Sequence, residues 1–528
     1  MSISTLLNNS DLFVEKSLQF QSENINIEQI PISEAKFGIL KLTAISAPLS
    51  QDVNEFIFMV DCSGSMSDVC SDGRDKMQHI IHTLKNMILY FKEKSSIKVY
   101  ISVNAFDDNI YKIVDRTEIT KDNVDSIIAK VDKISPRNST NIECALLDIK
   151  STIDKIMSTH PTHNICNIFM TDGQATAGNE DIEYLSGLVD RNITNAFIGF
   201  GIDHDSVLLN SMGNGKNSGY HFIDKLENAG IVYGEILHGI LYKVLTNVSI
   251  SVTNGLIYDY KNNLWTDSIN IDNIISESKK IYHIASSTPD DCSILLKAQA
   301  RENDSIMHYG FSISNENLSK YVFRQRTLQL LYKIKKFIEK KNLSGRNLSV
   351  FRGFERDNNT SIMEEQNILK TEMKNFMDEM KKYMADNNLN NDGFMKNLCD
   401  DIYISFRTFD TKFGAMYNSA RQTSQGTQRC YTVSHTPDES NESFRGGGCA
   451  QLKLTRQTNA PTSSQSDNLT ENGDGVIFHE MEHVMSNFED TPYRTPTATQ
   501  LMREMSNGTT ACDIFSQTTN SLGDEENI

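Results

Sequence analysis

The sequence predicts an α/β domain with a doubly wound, mostly parallel sheet, followed by a β-sandwich-like unit, a helical region and a polar tail. Three observations predict this fold class: strands alternate with amphipathic helices, short strand-like runs then follow without helices, and helical periodicity comes last. The chain of 528 residues is longer than one hydrophobic core usually serves. We therefore divide it into an N-terminal segment, an α/β domain, a β-rich domain, a helical region and a tail, at 1–52, 53–245, 246–317, 318–420 and 421–528.

The first two predicted strands flank the start of the α/β domain. Residues 35–47 carry partly alternating apolar residues, as in a strand with one exposed face, and we expect this strand to join the sheet of the β-rich domain. Residues 56–61, FIFMVD, are apolar without interruption until the final acid. That pattern is typical of a central parallel strand that is buried on both faces.

The remaining elements of the α/β domain alternate with short connections. Amphipathic periodicity predicts helices at 76–91, 123–134, 142–157, 181–189, 206–212 and 232–245. Apolar runs between them predict strands at 97–106, 111–114, 165–171, 196–201 and 220–223. This alternation indicates one sheet with helices on both faces.

The pattern changes after residue 245. Strand-like runs occur at 248–255, 280–286, 292–300 and 307–314, and helical periodicity returns from 318 to 420. Three apolar stripes mark the predicted helices: Leu330, Leu331, Ile334, Phe337 and Ile338; Leu369, Met373, Phe376, Met377, Met380 and Met384; Phe394, Leu398, Ile402, Phe409 and Phe413. The methionine row indicates the buried face of a bundle helix rather than a recognition groove.

The tail is rich in Ser, Thr, Asn, Gln and Gly, and we expect it to be largely disordered. It nevertheless contains His479-Glu480-Met481-Glu482-His483, an H-E-x-x-H motif in which two histidines one helical turn apart would bind zinc while Glu480 activates water. Glu504 is the available third ligand. Because the polar flanks offer nothing to hold that ligand or exclude water, a zinc metallopeptidase is the least favoured function.

Composition excludes several classes of partner. The net charge of -18 opposes a nucleic-acid backbone, so we expect no nucleic acid to bind. The nine cysteines include no C-x-x-C pair, which argues against a disulfide framework and a zinc finger. No apolar run approaches a membrane span and the first residues lack the apolar core of a signal peptide. We therefore expect a soluble, intracellular and cytoplasmic protein without a membrane partner.

Three loops bring oxygen donors to the carboxyl edge of the predicted sheet, where ligands of open α/β sheets bind. Asp61, Ser63 and Ser65 follow the first buried strand, Thr140 precedes the helix at 142, and Asp172 follows the strand at 165–171. Hydroxyl and carboxylate oxygens suit a hard cation, so Mg²⁺ or Mn²⁺ fits better than zinc. Two acids and three hydroxyls leave the cation short of ligands, and a water molecule or a partner carboxylate should complete its coordination.

In this pattern the sequence resembles the von Willebrand factor A family, whose metal-ion-dependent adhesion site reads D-x-S-x-S, then a threonine, then an aspartate. The resemblance implies that Ser63, Ser65 and Thr140 are direct ligands, whereas Asp61 and Asp172 bind largely through water. It also implies a non-enzymatic module that binds a protein partner through an Asp or Glu carboxylate of that partner. The alternative is a metal-stabilised scaffold, such as a virion or assembly component, in which the metal bridges nothing.

The chain departs from the family pattern in two places. Asn138 and Ser139 stand where a glycine pair often precedes the threonine, and Cys62 lies between the first two ligands, where we expect it to pack inward. Gly173 matches the glycine that usually follows the last acid. The overall layout also resembles intracellular proteins of this family in plants and large DNA viruses, and a viral origin would allow a location in the virion.

Overall fold

The structure is a computed structural model, and it describes residues 14–21, 27, 30–50, 52–70, 72–94, 96–223, 229–300, 304–306, 317–347, 355–409, 411–429 and 493–506. Within these ranges the strands are β1 (Val14–Phe20), β2 (Lys36–Ala44), β3 (Asn54–Asp61), β4 (Val99–Phe106), β5 (Ile110–Glu118), β6 (Asn164–Thr171), β7 (Thr194–Phe200), β8 (Ser218–Ile223), β9 (Lys243–Thr253), β10 (Leu256–Asp259), β11 (Leu264–Thr266), β12 (Ser268–Asn270), β13 (Ile274–Ile275), β14 (Lys279–Ser286), β15 (Ser293–Ala300) and β16 (Asp304–Ile306). The helices are α1 (Lys76–Glu93), α2 (Val124–Val131), α3 (Ile142–Thr159), α4 (Ile182–Gly187), α5 (Ser206–Met212), α6 (Ala229–Leu241), α7 (Ser319–Asn347), α8 (Glu355–Asp386), α9 (Gly393–Thr408), α10 (Lys412–Thr427) and α11 (Pro496–Met505).

The α/β domain is built on a six-stranded sheet in the order β5-β4-β3-β6-β7-β8. Its strands pair in parallel except at the β4–β5 edge, where pairing is antiparallel. Every residue of β3 is buried. Helix α1 contacts α2 and α6, whereas α4 contacts α3 and α5, so the helices form two separate groups. The predicted doubly wound, mostly parallel α/β fold is confirmed.

The last helix of this domain ends earlier than the sequence pattern predicts. The periodicity indicates a helix over 232–245, but α6 covers Ala229–Leu241 and β9 begins at Lys243. Val244 and Leu245 are buried in the core of the β-rich domain rather than against the α/β sheet. An apolar run cannot by itself show which of two adjacent cores its last residues enter.

Two antiparallel sheets form a sandwich beside the α/β domain. One has the order β1-β2-β14-β10-β11, and the other has β12-β9-β15-β16 with β13 paired to β9. Leu40 and Leu42 of the first sheet share a core with Val248, Ile250 and Leu296 of the second. The strand expected from residues 35–47 therefore belongs to the sandwich, while the run at 307–314 lies outside the described residues.

Strand β2 is covered on both faces, contrary to the single exposed face that its partial alternation predicts. Phe37 and Ile39 point away from the sandwich core and pack in a second cluster with Leu318 and Val322 at the start of the helical region. That region consists of α7 to α10, which contact one another in pairs. The predicted apolar stripes on these helices lie in the core, including the methionine row, so that row is the buried face of a bundle helix.

Helix α11 lies in the segment for which the sequence analysis expects disorder, and it packs against α6 and α1 of the α/β domain. Its buried face consists of Ala498, Leu501, Met502 and Met505. The H-E-x-x-H residues His479, Glu480 and His483 lie outside the described residues. Among the helices that the structure describes, none combines the length and the apolarity needed to cross a bilayer.

Candidate metal centre

The carboxyl ends of β3 and β6 place two of the predicted site loops side by side. The strands pair in parallel register up to Val60 and Met170, so Asp61 ends β3 beside Thr171 at the end of β6, and Asp172 follows. A short 3₁₀ turn, Gly64–Ser67, carries Ser65 immediately after β3. The loop with Thr140 approaches the same edge just before α3.

Hydrogen bonds join these side chains into one network. The Ser65 hydroxyl donates to Oδ1 of Asp172 at 2.7 Å and lies 3.2 Å from the Ser63 hydroxyl. The backbone N–H of Ser63 donates to Oδ1 of Asp61 at 2.7 Å, and the Thr171 hydroxyl donates to Oδ2 of Asp61 at 2.5 Å. The geometry thus brings the side chains of Ser63, Ser65 and Asp172 together and fixes Asp61 next to them.

Thr140 is held beside this network by its backbone. Its N–H donates to the Thr176 hydroxyl at 2.9 Å, and the Thr176 N–H donates to the Thr140 carbonyl at 2.9 Å. A Cβ added at Gly173 would lie 3.3 Å from the Thr140 hydroxyl oxygen, so glycine lets the loop after β6 approach this threonine closely. All five residues proposed from the sequence therefore converge at one edge of the sheet.

The two departures from the family pattern have local structural explanations. The loop before Thr140 is anchored to the first loop by its backbone, because the Gly64 N–H donates to the Asn138 carbonyl and the Arg137 N–H donates to the Cys62 carbonyl, at 2.9 and 2.7 Å. Cys62 packs inward as expected: it is 1% exposed, and its thiol donates to the Phe106 carbonyl. Burial raises the pKa of Cys62 to about 12, so its thiol remains protonated at neutral pH.

Both carboxylates of the network are buried. Asp61 and Asp172 are 0% exposed, Ser63 and Thr140 are buried, and Ser65 is partly exposed. Burial raises the pKa of Asp61 to about 6, the nearby charge of Asp172 adds to this effect, and the hydrogen bonds from Thr171 and Ser63 oppose it. Two acids held together away from water favour a compensating cation at this position.

A residue that the sequence analysis did not single out contacts one acid of this pair, Asp172. The ammonium group of Lys76 donates to Oδ2 of Asp172 at 2.6 Å and to Oδ2 of Asp68 at 2.9 Å. Lys76 is the first residue of α1, whose N-terminus is capped by Asp75 through reciprocal hydrogen bonds with Gln78. A positive charge is unfavourable at a helix N-terminus. The position of Lys76 at the start of α1 is therefore a feature of the sequence that indicates acidic groups near its side chain.

The chemistry of the donors fits a hard divalent cation. The network and the adjacent Thr140 offer two carboxylates and the hydroxyls of Ser63, Ser65 and Thr140, and carboxylate and hydroxyl oxygens are the ligands that Mg²⁺ and Mn²⁺ prefer. Within the part of the chain that the structure describes, no group of three or more His, Cys, Asp or Glu side chains could hold a metal ion. A metal ion at this edge would therefore need oxygen ligands other than these side chains, and the hydroxyls of Ser63, Ser65 and Thr140 lie here.

Comparison with known proteins identifies the α/β domain. Residues 55–233 match the family model of the von Willebrand factor type A domain. Similar solved structures include a von Willebrand factor type A protein from Catenulispora acidiphila, with 13% identity, a TM-score of 0.44 and coverage of 63% of this chain and 82% of that chain. The ArnB paralog VWA2 from Sulfolobus acidocaldarius has 14% identity, a TM-score of 0.45 and coverage of 79% and 99%.

A third similar structure is proximal thread matrix protein 1 from the mussel byssus with a zinc-occupied MIDAS motif. It has 16% identity, a TM-score of 0.30 and coverage of 36% of this chain and 49% of that chain. No curated protein matches this chain. Identities and TM-scores this low do not transfer a ligand or a partner, so the assignment of the domain rests on the match over residues 55–233.

Proposed function

Residues 55–233 are a von Willebrand factor type A domain, and from this premise we propose that the chain is a protein-binding module that depends on a divalent cation. Asp61, Ser63, Ser65, Thr140 and Asp172 would hold one Mg²⁺ or Mn²⁺, and an Asp or Glu carboxylate of a protein partner would complete the site. Domains of this type generally act as metal-dependent interaction modules rather than as enzymes. The convergence of these five residues at one sheet edge is the observation that carries the proposal.

The residues of this chain would orient the oxygen ligands before the cation binds. Thr171 and the Ser63 N–H fix both oxygens of Asp61, and Ser65 and Lys76 engage one oxygen each of Asp172. Preformed donors lower the entropic cost of binding a ligand. Bound there, the cation would supply a Lewis-acidic position for an anionic oxygen.

The surroundings of Ser65 offer an approach for the partner. Ser65 is partly exposed, and beyond the buried Met66 the next three residues, 67–69, are exposed. Val69 is 71% exposed, so its side chain is open to contact with a partner. A partner whose carboxylate reaches Ser65 would bury Val69, so an apolar residue beside the acidic one is expected in the partner's binding segment.

A calorimetric titration of the full chain with Mg²⁺ and with Mn²⁺ tests the metal site. We expect the wild type to bind one ion per chain and the double variant Ser63→Ala/Ser65→Ala to lose most of this affinity. Ser67→Ala is the matched control, because Ser67 lies in the same loop but its exposed hydroxyl donates to the Gly64 carbonyl, at 2.7 Å, and not to a proposed ligand. If the wild type shows no heat of binding with either ion, the proposed site does not exist.

A purely structural role of the metal is the second candidate, and the complete burial of Asp61 and Asp172 favours it. Affinity purification with and without a chelator separates the two roles. A bridging metal predicts that the partner is lost in chelator and also lost from the double serine variant. A partner retained equally in both arms would leave the cation with a structural role only.

We also propose an intracellular location. Cys62, Cys70, Cys144, Cys166, Cys292 and Cys399, the cysteines within the described ranges, are all free thiols. Free thiols are the usual state in a reducing compartment. Treatment of freshly isolated protein with a thiol-alkylating reagent after denaturation should label these cysteines without prior reduction, and a requirement for reductant would contradict this location.

A further inference from the structure

Lys76 gives the proposed metal centre a charge that its five oxygen ligands do not. We propose that Lys76 is a specificity-determining residue that weakens cation binding and strengthens binding of a carboxylate ligand. The inference rests on the proposed function and deepens it, because it concerns the same site. It starts from the contact between the Lys76 ammonium group and Oδ2 of Asp172, at 2.6 Å.

The two oxygens of Asp172 have different partners. Oδ1 accepts a hydrogen bond from Ser65, which belongs to the ligand set, whereas Oδ2 accepts from Lys76. Lys76 therefore binds the oxygen of Asp172 that Ser65 does not contact, and it does not replace the hydroxyl of a proposed ligand. Its side chain is 15% exposed, so its charge is only partly screened by water.

The charges of the groups at this site indicate how Lys76 would affect binding. Asp61 and Asp172 are buried and would together balance a divalent cation, since the three hydroxyl ligands are neutral. Lys76 adds one positive charge, so the cation, the two acids and the lysine together carry a net positive charge until an anion arrives. Asp68 also contacts Lys76, but it is 64% exposed and its charge is largely screened by solvent.

Removing the charge of Lys76 should change the affinity for the cation and the affinity for a carboxylate in opposite directions. In Lys76→Met the cation no longer meets a like charge beside Asp172, so we expect Mn²⁺ to bind roughly tenfold more tightly. The loaded site would then be neutral, so a carboxylate should bind to it roughly tenfold more weakly. A lysine that only supports the fold would weaken both affinities together, which makes the opposite signs diagnostic.

The experiment uses the full chain and two defined probes, Mn²⁺ alone and then acetate. Enhancement of water-proton relaxation by bound Mn²⁺ reports the affinity for the ion, and its loss on addition of acetate reports displacement of bound water by a carboxylate. Lys76→Arg retains the charge and should keep both affinities close to the wild type. Lys85→Met is the matched control, because Lys85 lies on the same helix and pairs with Asp132 away from the site.

The outcomes separate this inference from the function on which it rests. If the wild type binds no Mn²⁺, the proposed function fails and this inference fails with it. If the wild type binds Mn²⁺ but Lys76→Met leaves both affinities within twofold of it, or lowers both, only the role of Lys76 is refuted. Should Lys76→Met fold poorly, Lys76→Gln and the charge-retaining Lys76→Arg provide the same comparison.

Discussion

Replacing Asp61 by asparagine is expected to stabilise the metal-free α/β domain and to abolish its response to a divalent cation. The Asp61 carboxylate is buried, and burial together with the charge of Asp172 makes its ionised form unfavourable. Asparagine has nearly the same shape. Its carbonyl can accept from the Ser63 N–H, and its amide can donate to the Thr171 hydroxyl, which reverses the present direction of that bond, so both contacts remain hydrogen-bonded.

The magnitude follows from the pKa of Asp61, which is raised from 3.8 to about 6 in the folded chain. Each pH unit of displacement corresponds to about 1.4 kcal/mol, so ionised Asp61 lowers the free energy of unfolding of the metal-free domain by about 3 kcal/mol. The pKa of Asp61 is higher in the folded chain than in the unfolded chain. The stability of the domain with protonated Asp61 is therefore present below pH 3.8, is lost as the pH rises to about 6 and stays lost above it. The gain from asparagine should therefore be largest at neutral pH and vanish below about pH 4.

Hydrogen exchange of peptides from β3 and β6 provides the measurement, since it reports the free energy of opening of this domain within the full chain. In EDTA at about pH 7.5, Asp61→Asn should raise that free energy by about 3 kcal/mol. Saturating Mg²⁺ should stabilise the wild type, by about 2.7 kcal/mol at a hundred times its dissociation constant, and leave the variant unchanged.

The control is Asp154→Asn, because Asp154 is an exposed acid on α3 of the same domain. It should change the free energy of opening by less than about 0.5 kcal/mol in either solution. A variant Asp61→Asn that is less stable than the wild type in EDTA would refute the reasoning. So would a gain that persists below pH 4, because the protonated wild type should then match asparagine.

Three further predictions concern the rest of the fold. A Cβ at Gly234 would lie 2.5 Å from the Met502 backbone, so Gly234→Val should release α11 and remove hydrogen-exchange protection from residues 493–506 while the central sheet stays protected. Arg421→Met leaves the buried carboxylate of Asp401 without its ion-pair partner and should lower the free energy of unfolding by about 3 to 5 kcal/mol, as measured by urea denaturation. Burial lowers the pKa of His204 to about 4 in the folded chain. The contribution of neutral His204 to stability is therefore present above its unfolded pKa of 6.5 and is lost as the pH falls towards 4. His204→Gln should flatten the dependence of the urea midpoint on pH across this window.

Each of these predictions has a control within the chain. Gly239→Ala tests a glycine on the same helix as Gly234 whose added Cβ would meet only the Ile275 side chain at 3.7 Å, and α11 should remain protected. Replacing Asp401 by leucine together with Arg421→Met should recover most of the lost stability, and Trp265, the single tryptophan, reports unfolding near the helical region. Undiminished protection in Gly234→Val, an unchanged urea midpoint in Arg421→Met, or an acid dependence in His204→Gln that is as steep as in the wild type would contradict the respective argument.

The elements that the sequence predicts best are those whose periodicity is satisfied by one neighbouring core. The helix predicted at 206–212 has the bounds of α5, and the uninterrupted run of β3 is the buried central strand that it indicates. Strands β10 to β13 escape prediction because they are two to four residues long, too short for alternation to show. The second covered face of β2 depends on α7, which lies far along the chain.

The candidate site also has residues that the sequence predicts and residues that it does not. Four of its five proposed ligands follow β3 or β6, and the parallel pairing of these strands brings their ends together. The fifth, Thr140, lies in the loop before α3. The two groups that tune their charges were not predicted. Thr171 reaches Asp61 across paired strands, and Lys76 reaches Asp172 over a distance of 96 residues in sequence, so both contacts exist only in the folded domain.

The packing of α11 shows how a signal in the sequence can indicate a missing partner without identifying it. Helix α6 is buried on nearly all sides, whereas a helix that only covers a sheet normally keeps a polar outer face. Such a helix requires cover on its outer face as well, and α11 provides it. Gly230 and Gly234 carry no side chain where the α11 backbone crosses, because a Cβ at either position would lie within 2.6 Å of that backbone. The apolar circumference and the glycine spacing of α6 thus specify a closely packed second helix, while only the tertiary structure shows that this helix comes from residues 496–505.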